Sequence, residues 1–303
     1  MTLSRVLLVT KQSAYETYAR DRRVGRAALS RARRTKVNAL RESHDDHYKT
    51  LAEVEKALDR MNLRVDRIQR DKPFVDRNYD LILTVGGDGT FISASHHVRA
   101  VPVLGVNSAP RRSVGFFCSA TRRTVARDLE MIQAGALPAL SLARLQVELD
   151  RKAIAVPVLN DVLFSHELPA AMSRYEIRVG GAREEQKSSG VWIAAPAGGG
   201  AGTGSAGGRK LPLGSRKFQF VVREPYRHAG HPCRLRRGIL GPGESLRIES
   251  HIGQGRIFID GPHVSRAVPF GSLLRVGLSP HPLRVLGLRQ ALRKRAKKRP
   301  PGR

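Results

Sequence analysis

Tyr79-Asp80-Leu81-Ile82-Leu83-Thr84-Val85-Gly86-Gly87-Asp88-Gly89-Thr90 is the stretch on which the fold turns. Leu81 to Val85 has the length and branched apolar content of a buried strand. It runs into three glycines around one aspartate, and a helix-compatible segment, Phe91 to Val98, follows. Strand, glycine turn and helix together make a phosphate site, because the turn lets backbone N–H groups close on an anion and the helix N-terminus adds its dipole. Asp88 is the odd member. A carboxylate aimed at phosphate makes sense if it holds a metal or takes the proton of an attacking hydroxyl, which is phosphoryl-transfer chemistry. The plainer alternative is a tight turn with Asp88 capping the helix.

The surrounding pattern agrees with an α/β unit. Val6 to Val9 reads as the first strand, Leu63 to Ile68 as the second and Val101 to Gly105 as the fourth. Residues 13 to 45 are charged, with sparse apolar points at Ala27, Ala28, Leu29, Ala32 and Leu40, and read as a helix or helix pair with loops. Thr50 to Asn62 carries Leu51, Val54, Leu58 and Met61 at helical spacing, and Thr124 to Ala134 is a helix stopped by Gly135. Such alternation predicts a parallel sheet with its ligand at the carboxyl ends of the strands. After Pro138 the texture changes. Leu145 to Leu149, Tyr175 to Val179, Phe218 to Val222, Leu246 to Glu249, Arg256 to Ile259 and Leu273 to Val276 alternate as strands between Gly- and Pro-rich turns, the pattern of a mostly antiparallel β domain. The division expected is an α/β phosphate-binding domain over 1–138, a β-rich domain over 139–283, and a basic, disordered tail over 284–303.

The glycine turn occurs in three kinase groups. Lipid kinases of the diacylglycerol and sphingosine type continue with Asn-Glu-Val, where this chain has Phe91-Ile92-Ser93-Ala94, and the sugar-binding signatures of phosphofructokinases are missing. The sequence resembles NAD kinases, and Val103-Leu104-Gly105-Val106-Asn107 leading to Gly115-Phe116-Phe117 is similar to their Gly-Ile-Asn…Gly-Phe-Leu. Leu159-Asn160-Asp161-Val162 resembles their Leu-Asn-Glu-Val, with an acid one methylene shorter. Lys187-Ser188-Ser189-Gly190, Val9-Thr10-Lys11 through Tyr15-Glu16, and Arg223-Glu224-Pro225 look like the branch that includes the mitochondrial-type enzymes. The resemblance covers nearly the whole chain in order, and its first two motifs are the specific ones.

That resemblance implies phosphorylation of the 2′-hydroxyl on the adenosine ribose of NAD, by ATP or inorganic polyphosphate with Mg²⁺. Asp88 would be the catalytic base. Gly86, Gly87, Gly89, Thr90 and Asn107 would hold phosphate or nucleotide, and Asn160, Asp161, Ser188, Ser189, Gly198, Gly199, Gly200 and Ala201 would hold NAD in the second domain. It also implies a chain end that returns to the first domain and a homodimer or homotetramer. Read from the residues alone, Asn160-Asp161 is equally an Asx turn, and Ser188-Ser189 a polar strand end.

The clearest departure is Ala195 to Gly208, where Gly199, Gly200 and Gly202 stand in place of the usual Ser, Thr and Tyr. Either this loop binds through its backbone, with glycines such as Gly200 at positive φ and at close approach to the ligand, or it is a flexible linker that orders on binding. A shifted register would put Thr203-Gly204-Ser205 to work instead.

The formal charge is +28, with 54 Lys and Arg against 26 Asp and Glu. No aromatic platform or helix-turn-helix accompanies the basic residues, so the reading is an enzyme of polyanionic ligands rather than a specific nucleic-acid binder. Lys11, ending the first strand, could reach a phosphate or simply be solvated. Cys118 and Cys233 show no metal or disulfide spacing, and His96-His97, or His228 and His231 with Cys233, make no convincing metal set. No apolar run approaches a membrane span, and with Val6 so near the start a cytoplasmic protein without a targeting segment is expected. Two other classes stay open: an NAD-binding sensor without catalysis, and a lipid or other small-molecule kinase sharing the Gly-Gly-Asp-Gly site.

Overall fold

The computed structural model describes residues 3–19, 31–226 and 233–288. The end of the basic tail, the apolar points Ala27, Ala28 and Leu29, and the pair His228 and His231 lie outside the described residues. The chain divides into two compact units. One runs to Leu140 and resumes at Arg284; the other is Ser141–Leu283.

The first unit is built on strands β1 (Arg5–Thr10), β2 (Arg64–Gln69), β3 (Leu81–Gly86), β4 (Val103–Asn107), β5 (Cys118–Thr121), β6 (Ala139–Leu142) and the last of the described strands, β19 (Leu283–Leu286). The sheet order is β2-β1-β3-β4-β19-β6, with β5 also on β4. The pairs among β1 to β5, and that of β19 with β4, are parallel. Every residue of β3 and β4 is buried, as continuous apolar strands covered on both faces must be. Leu81, Leu83 and Val85 share one core with Val54, Ala57 and Leu58 of a long helix and with Val125, Leu129 and Ile132 of a short one. Burying side chains of this size contributes roughly 1.5–3 kcal/mol each.

The helices are α1 (Ala14–Ala19), α2 (Arg31–Arg60), α3 (Asp88–Ser95) and α4 (Val125–Gln133). The helix expected over 50–62 is the second half of α2, which extends it backwards by about five turns. The helix expected to begin at Phe91 instead begins at Asp88, so the aspartate and Thr90 are inside its first turn. Phe91 stacks on Phe117 with ring centres 5.2 Å apart. Among the described residues no helix is long and apolar enough to cross a membrane.

The second unit pairs its strands in antiparallel fashion throughout the described ladders. One sheet takes β7 (Leu145–Leu149), β8 (Lys152–Ala153), β10 (Ser173–Val179), β11 (Ala182–Ser188), β15 (Ser245–Ser250) and β18 (Leu273–Leu278) in the order β11-β10-β15-β18-β7-β8. The other takes β9 (Asp161–His166), β12 (Val191–Ala194), β13 (Phe218–Val222), β14 (Arg237–Leu240), β16 (Gly255–Ile259) and β17 (Val264–Ala267) in the order β14-β13-β12-β9-β16-β17. Val147, Tyr175, Ile177 and Ile248 from the first meet Val162, Phe164, Ile193 and Phe220 from the second in one core, the construction of a β-sandwich.

Candidate active site

In the first sheet, β1 has β2 on one side and β3 on the other. The chain therefore leaves β1 toward one edge and returns across it, which opens a crevice at the carboxyl ends of β1 and β3. Lys11 follows β1, Arg70 follows β2, the glycine turn ends β3, and Asn107 ends β4. The Arg70 N–H donates to the Thr10 carbonyl at 2.7 Å, stitching two of these ends together.

None of Gly86, Gly87 and Gly89 has a positive φ. At Gly86 and Gly87 the requirement is room. A Cβ on Gly86 would overlap the Thr90 side chain, and one on Gly87 would come 2.7 Å from the Ser113 hydroxyl. At Gly89 it would point toward the Arg70 guanidinium, 3.6 Å away. The Thr90 and Phe91 N–H groups donate to the Gly87 carbonyl at 3.0 and 3.2 Å, and those of Asp88 and Gly89 come before the first bond of the helix. Asp88 is half-buried beside them, and its Oδ1 accepts the Phe117 N–H at 2.9 Å, which fixes the carboxylate in one rotamer. Cys118 feels both Asp88 and Lys11. Burial, with Asp88 adding to it, pushes its thiol up to about 12, so it stays protonated and unreactive. The Lys11 ammonium is pulled below its ordinary pKa, chiefly by burial and then by Arg70.

Two expectations for this turn need correction. Thr90 is buried within the first turn of α3, with its hydroxyl enclosed against Gly86, so it shapes the turn from beneath and does not line it. Asn107 is also buried. Its amide donates to the Ser113 carbonyl at 3.2 Å and accepts the Ala109 N–H at 3.1 Å, so it holds the segment after β4.

In the second unit Asn160 and Asp161 open β9. Asp260, in a left-handed conformation (φ 51°), accepts the N–H groups of Leu159, Asn160 and Asp161 at 2.9, 2.7 and 3.1 Å. Asp260 was invisible to sequence reasoning because Asp260-Gly261 reads as an ordinary turn. Asn160 Oδ1 is buried and has no partner among the described residues, an acceptor waiting for a donor. Burial, with the charge of Asp260 adding to it, pushes the Asp161 carboxyl up to about 7. Near neutral pH it can thus donate a hydrogen bond as well as accept one.

The glycine-rich segment is folded. Pro196–Gly200 forms a 3-10 turn and Gly202–Ser205 a short helix, α5. Its glycines serve close packing. A Cβ on Gly198 would overlap the Asn160 carbonyl, one on Gly202 would meet the Trp192 ring at 2.5 Å, and one on Gly204 the Gly199 carbonyl at 2.8 Å. The Ala195 N–H donates to the Asn160 carbonyl at 2.9 Å. Gln219 closes the far end through two bonds to the Arg209 backbone. Gly200, expected at positive φ, is not there, and its Cβ would meet nothing within 4 Å. Gly199 is buried and Gly200 and Ala201 are exposed beside it. Thr203, from the shifted register, is fully buried and turned inward.

The expectation for Ser188 is also corrected. It is fully buried, with its hydroxyl bonded to the Tyr175 hydroxyl at 2.8 Å and to the Gly190 backbone, so it belongs to the sandwich core and is closed to a ligand. Ser189 next to it is partly open, with its N–H on the Arg223 carbonyl. No group of three or more His, Cys, Asp or Glu side chains is placed to hold a metal ion among the described residues.

The family model for the ATP-NAD kinase N-terminal domain matches residues 6–136. The chain is 32% identical over 265 residues to a probable NADH kinase of Oryza sativa subsp. japonica, covering 79% of this chain and 81% of the relative. The chain belongs to the NAD kinase family. Members of this family are phosphotransferases, and an NADH kinase of Arabidopsis thaliana is 33% identical over 66% of this chain and 70% of its own length. The family fold is equally clear. An NAD kinase from Archaeoglobus fulgidus, solved with ATP, superposes over 97% of this chain and 96% of its own with a TM-score of 0.68 at 18% identity. Yeast NADH kinase, solved with NADH, covers 99% of this chain and 90% of its own, with a TM-score of 0.71 at 14% identity.

The raised pKa of Asp161 gives one expected result. Between about pH 4 and pH 7 the folded protein holds a proton that the unfolded chain has released, so stability from this group is full below about pH 4 and is lost as pH rises toward 7. Asp161→Asn removes the titration. Thermal unfolding followed across that range should show a flatter pH dependence in the variant, with the difference on the order of a few kcal/mol. Parallel curves would mean that the carboxyl is solvated.

Proposed function

We propose that the protein phosphorylates the 2′-hydroxyl on the adenosine ribose of NAD or NADH, with ATP or a condensed phosphate as donor. The observation that carries this reading is Asp88, a carboxylate locked by the Phe117 N–H in a glycine turn whose last glycine faces the Arg70 guanidinium. One carboxylate oxygen is occupied by that bond, which leaves the other to take the proton of an attacking hydroxyl. As the ribose oxygen bonds to the terminal phosphorus, the bridging P–O bond breaks and the leaving phosphate keeps its electron pair. Arg70, Lys11 and the first N–H groups of α3 would oppose the charge on the transferred group.

A divalent cation fits this donor set as a companion of the phosphates. Asp88 would supply one oxygen and the donor the others, and the ion would contribute charge neutralisation. Asn160 and the protonated Asp161, braced by Asp260, are suited to the hydrogen-bonding edge of the dinucleotide, with Gly198 to Ala201 and Ser189 beside them. The names of the plant relatives favour the reduced dinucleotide as a second acceptor.

The purified chain should be assayed with Mg²⁺, ATP or polyphosphate, and NAD or NADH, and scored for the 2′-phosphorylated product. Product in at least one combination is expected. Tight dinucleotide binding with no product from any combination would make the protein a sensor. Labelled phosphate on some other small molecule would move it to a different kinase class.

A further inference from the structure

Beside the glycine turn lies a second basic site that the reaction above does not use. After β4 the chain passes through Ser108, whose N–H donates to the Gly86 carbonyl at 2.9 Å, and then through Arg111 and Arg112. β5 ends next to it and delivers Arg122 and Arg123. α2 closes the third side, where the Thr50 hydroxyl donates to the Ser108 carbonyl at 3.2 Å. These segments line a cavity of about 350 Å³ that includes Ser108, Arg111, Arg122 and Arg123. A second cavity of about 390 Å³ shares Asp46 and Arg111 with it and adds Lys49 and Arg112.

The charges decide what such a trough can hold. Five cations stand there against Glu42, Asp45 and Asp46. Arg112 is paired with Glu42, and Arg122 with Asp46 at 3.6 Å. Arg111, Arg123 and Lys49 are exposed and form no ion pair among the described residues, so three cations face one remaining acid. No aromatic side chain lines either cavity, which removes the stacking surface that single-stranded nucleic acid uses. Ser108, which lines the trough, is bonded through its N–H to the first glycine of the turn, so the trough borders the turn.

We propose that this trough is a subsite for the phosphoanhydride chain of the phosphoryl donor, carrying the phosphates behind the one that is transferred. The proposal rests on the kinase reading above, and the chemistry it recognises is a run of linked phosphates, found in inorganic polyphosphate and in the tail of a nucleoside triphosphate. Arginine forks suit phosphate oxygens, and a row of them holds a chain with strong salt dependence.

The test is the double variant Arg111→Gln/Arg123→Gln in the full chain. A matched control is Arg60→Gln/Arg64→Gln, which removes the same charge from exposed positions at the opposite end of the sheet. Direct binding of inorganic polyphosphate, measured without turnover at moderate salt, should weaken by about tenfold or more in the first variant and change little in the control. Because binding is read without catalysis, it stands even if no NADP is formed, which separates this proposal from the kinase reading. An unchanged KM for ATP with weakened polyphosphate binding assigns the trough to the inorganic chain, whereas a KM for ATP raised in step assigns it to the nucleotide tail. Polyphosphate affinity equal to wild type, an equal loss in the control, or an equal loss for a single-stranded oligonucleotide would each overturn the proposal.

Discussion

Asp88→Asn should lower kcat by roughly 10²–10⁴-fold, the range a positioned general base contributes, while leaving dinucleotide and donor binding in place. The substitution is a clean one here. The side-chain carbonyl of asparagine can accept the same Phe117 N–H that holds the aspartate at 2.9 Å, so the turn and the start of α3 keep their geometry. What is lost is the oxygen that takes the proton. Steady-state kinetics should therefore show kcat falling with KM little changed, the mark of an interaction made in the transition state. Turnover within a few-fold of wild type would show that the proton leaves by another route and that Asp88 is structural.

Two glycines in one segment should give opposite results. Gly198→Ala drives a Cβ into the Asn160 carbonyl, which already accepts the Ala195 N–H, so neither the segment nor the start of β9 can stay where it is. Overpacking against backbone costs about 1–3 kcal/mol and displaces Asn160 and Asp161 together. We expect a lower melting temperature and a KM for the dinucleotide raised by about tenfold, with the KM for the phosphoryl donor little altered. Gly200→Ala places its Cβ in open space at an ordinary φ, and should leave melting temperature and kinetic constants near wild type. Equal effects of the two substitutions would mean that the segment adopts a different packing in solution.

The parts that were legible in the sequence are those where local pattern and global position coincide. Leu81 to Val85 is a buried central strand, and nothing but a buried central strand is so uniformly apolar and so abruptly ended. Phe218–Val222 is bounded correctly by its alternation between turns. β11 was missed because Ala182–Ser188 is a charged edge strand held on one side by β10, so little in its composition marks it. α2 reads in the sequence as two pieces, a charged helical stretch within 13–45 and an amphipathic helix over 50–62, because only its later part carries the apolar stripe that packs on the sheet.

At the site, the glycine turn between β3 and α3 is readable, whereas the surroundings of the neighbouring side chains are not. Thr90, Asn107 and Ser188 fit a ligand-binding list by type, yet each is buried, Asn107 and Ser188 with partners inside the fold. Arg70 and Asp260 lie far from the motifs in sequence and reach the site through strand order and a turn. The glycines of 198–208 looked like freedom of conformation and turned out to be mutual proximity, a property of pairs of segments that no single stretch reveals.

The last strand also sets the order in which this molecule can be made. β19, at Leu283–Leu286, occupies the place between β4 and β6 in the first sheet, with Val285 beside Val103. On the ribosome, a nascent chain that has emerged through residue 140 therefore carries a sheet with a gap, and the gap stays open while the whole sandwich is translated. The sandwich is contiguous in sequence and can close first, although its strands appear later. The first sheet is then completed by a pairing of very large sequence separation, the kind of contact that forms slowly. Throughout that interval the apolar strands around the gap are the part of the polypeptide most in need of a chaperone.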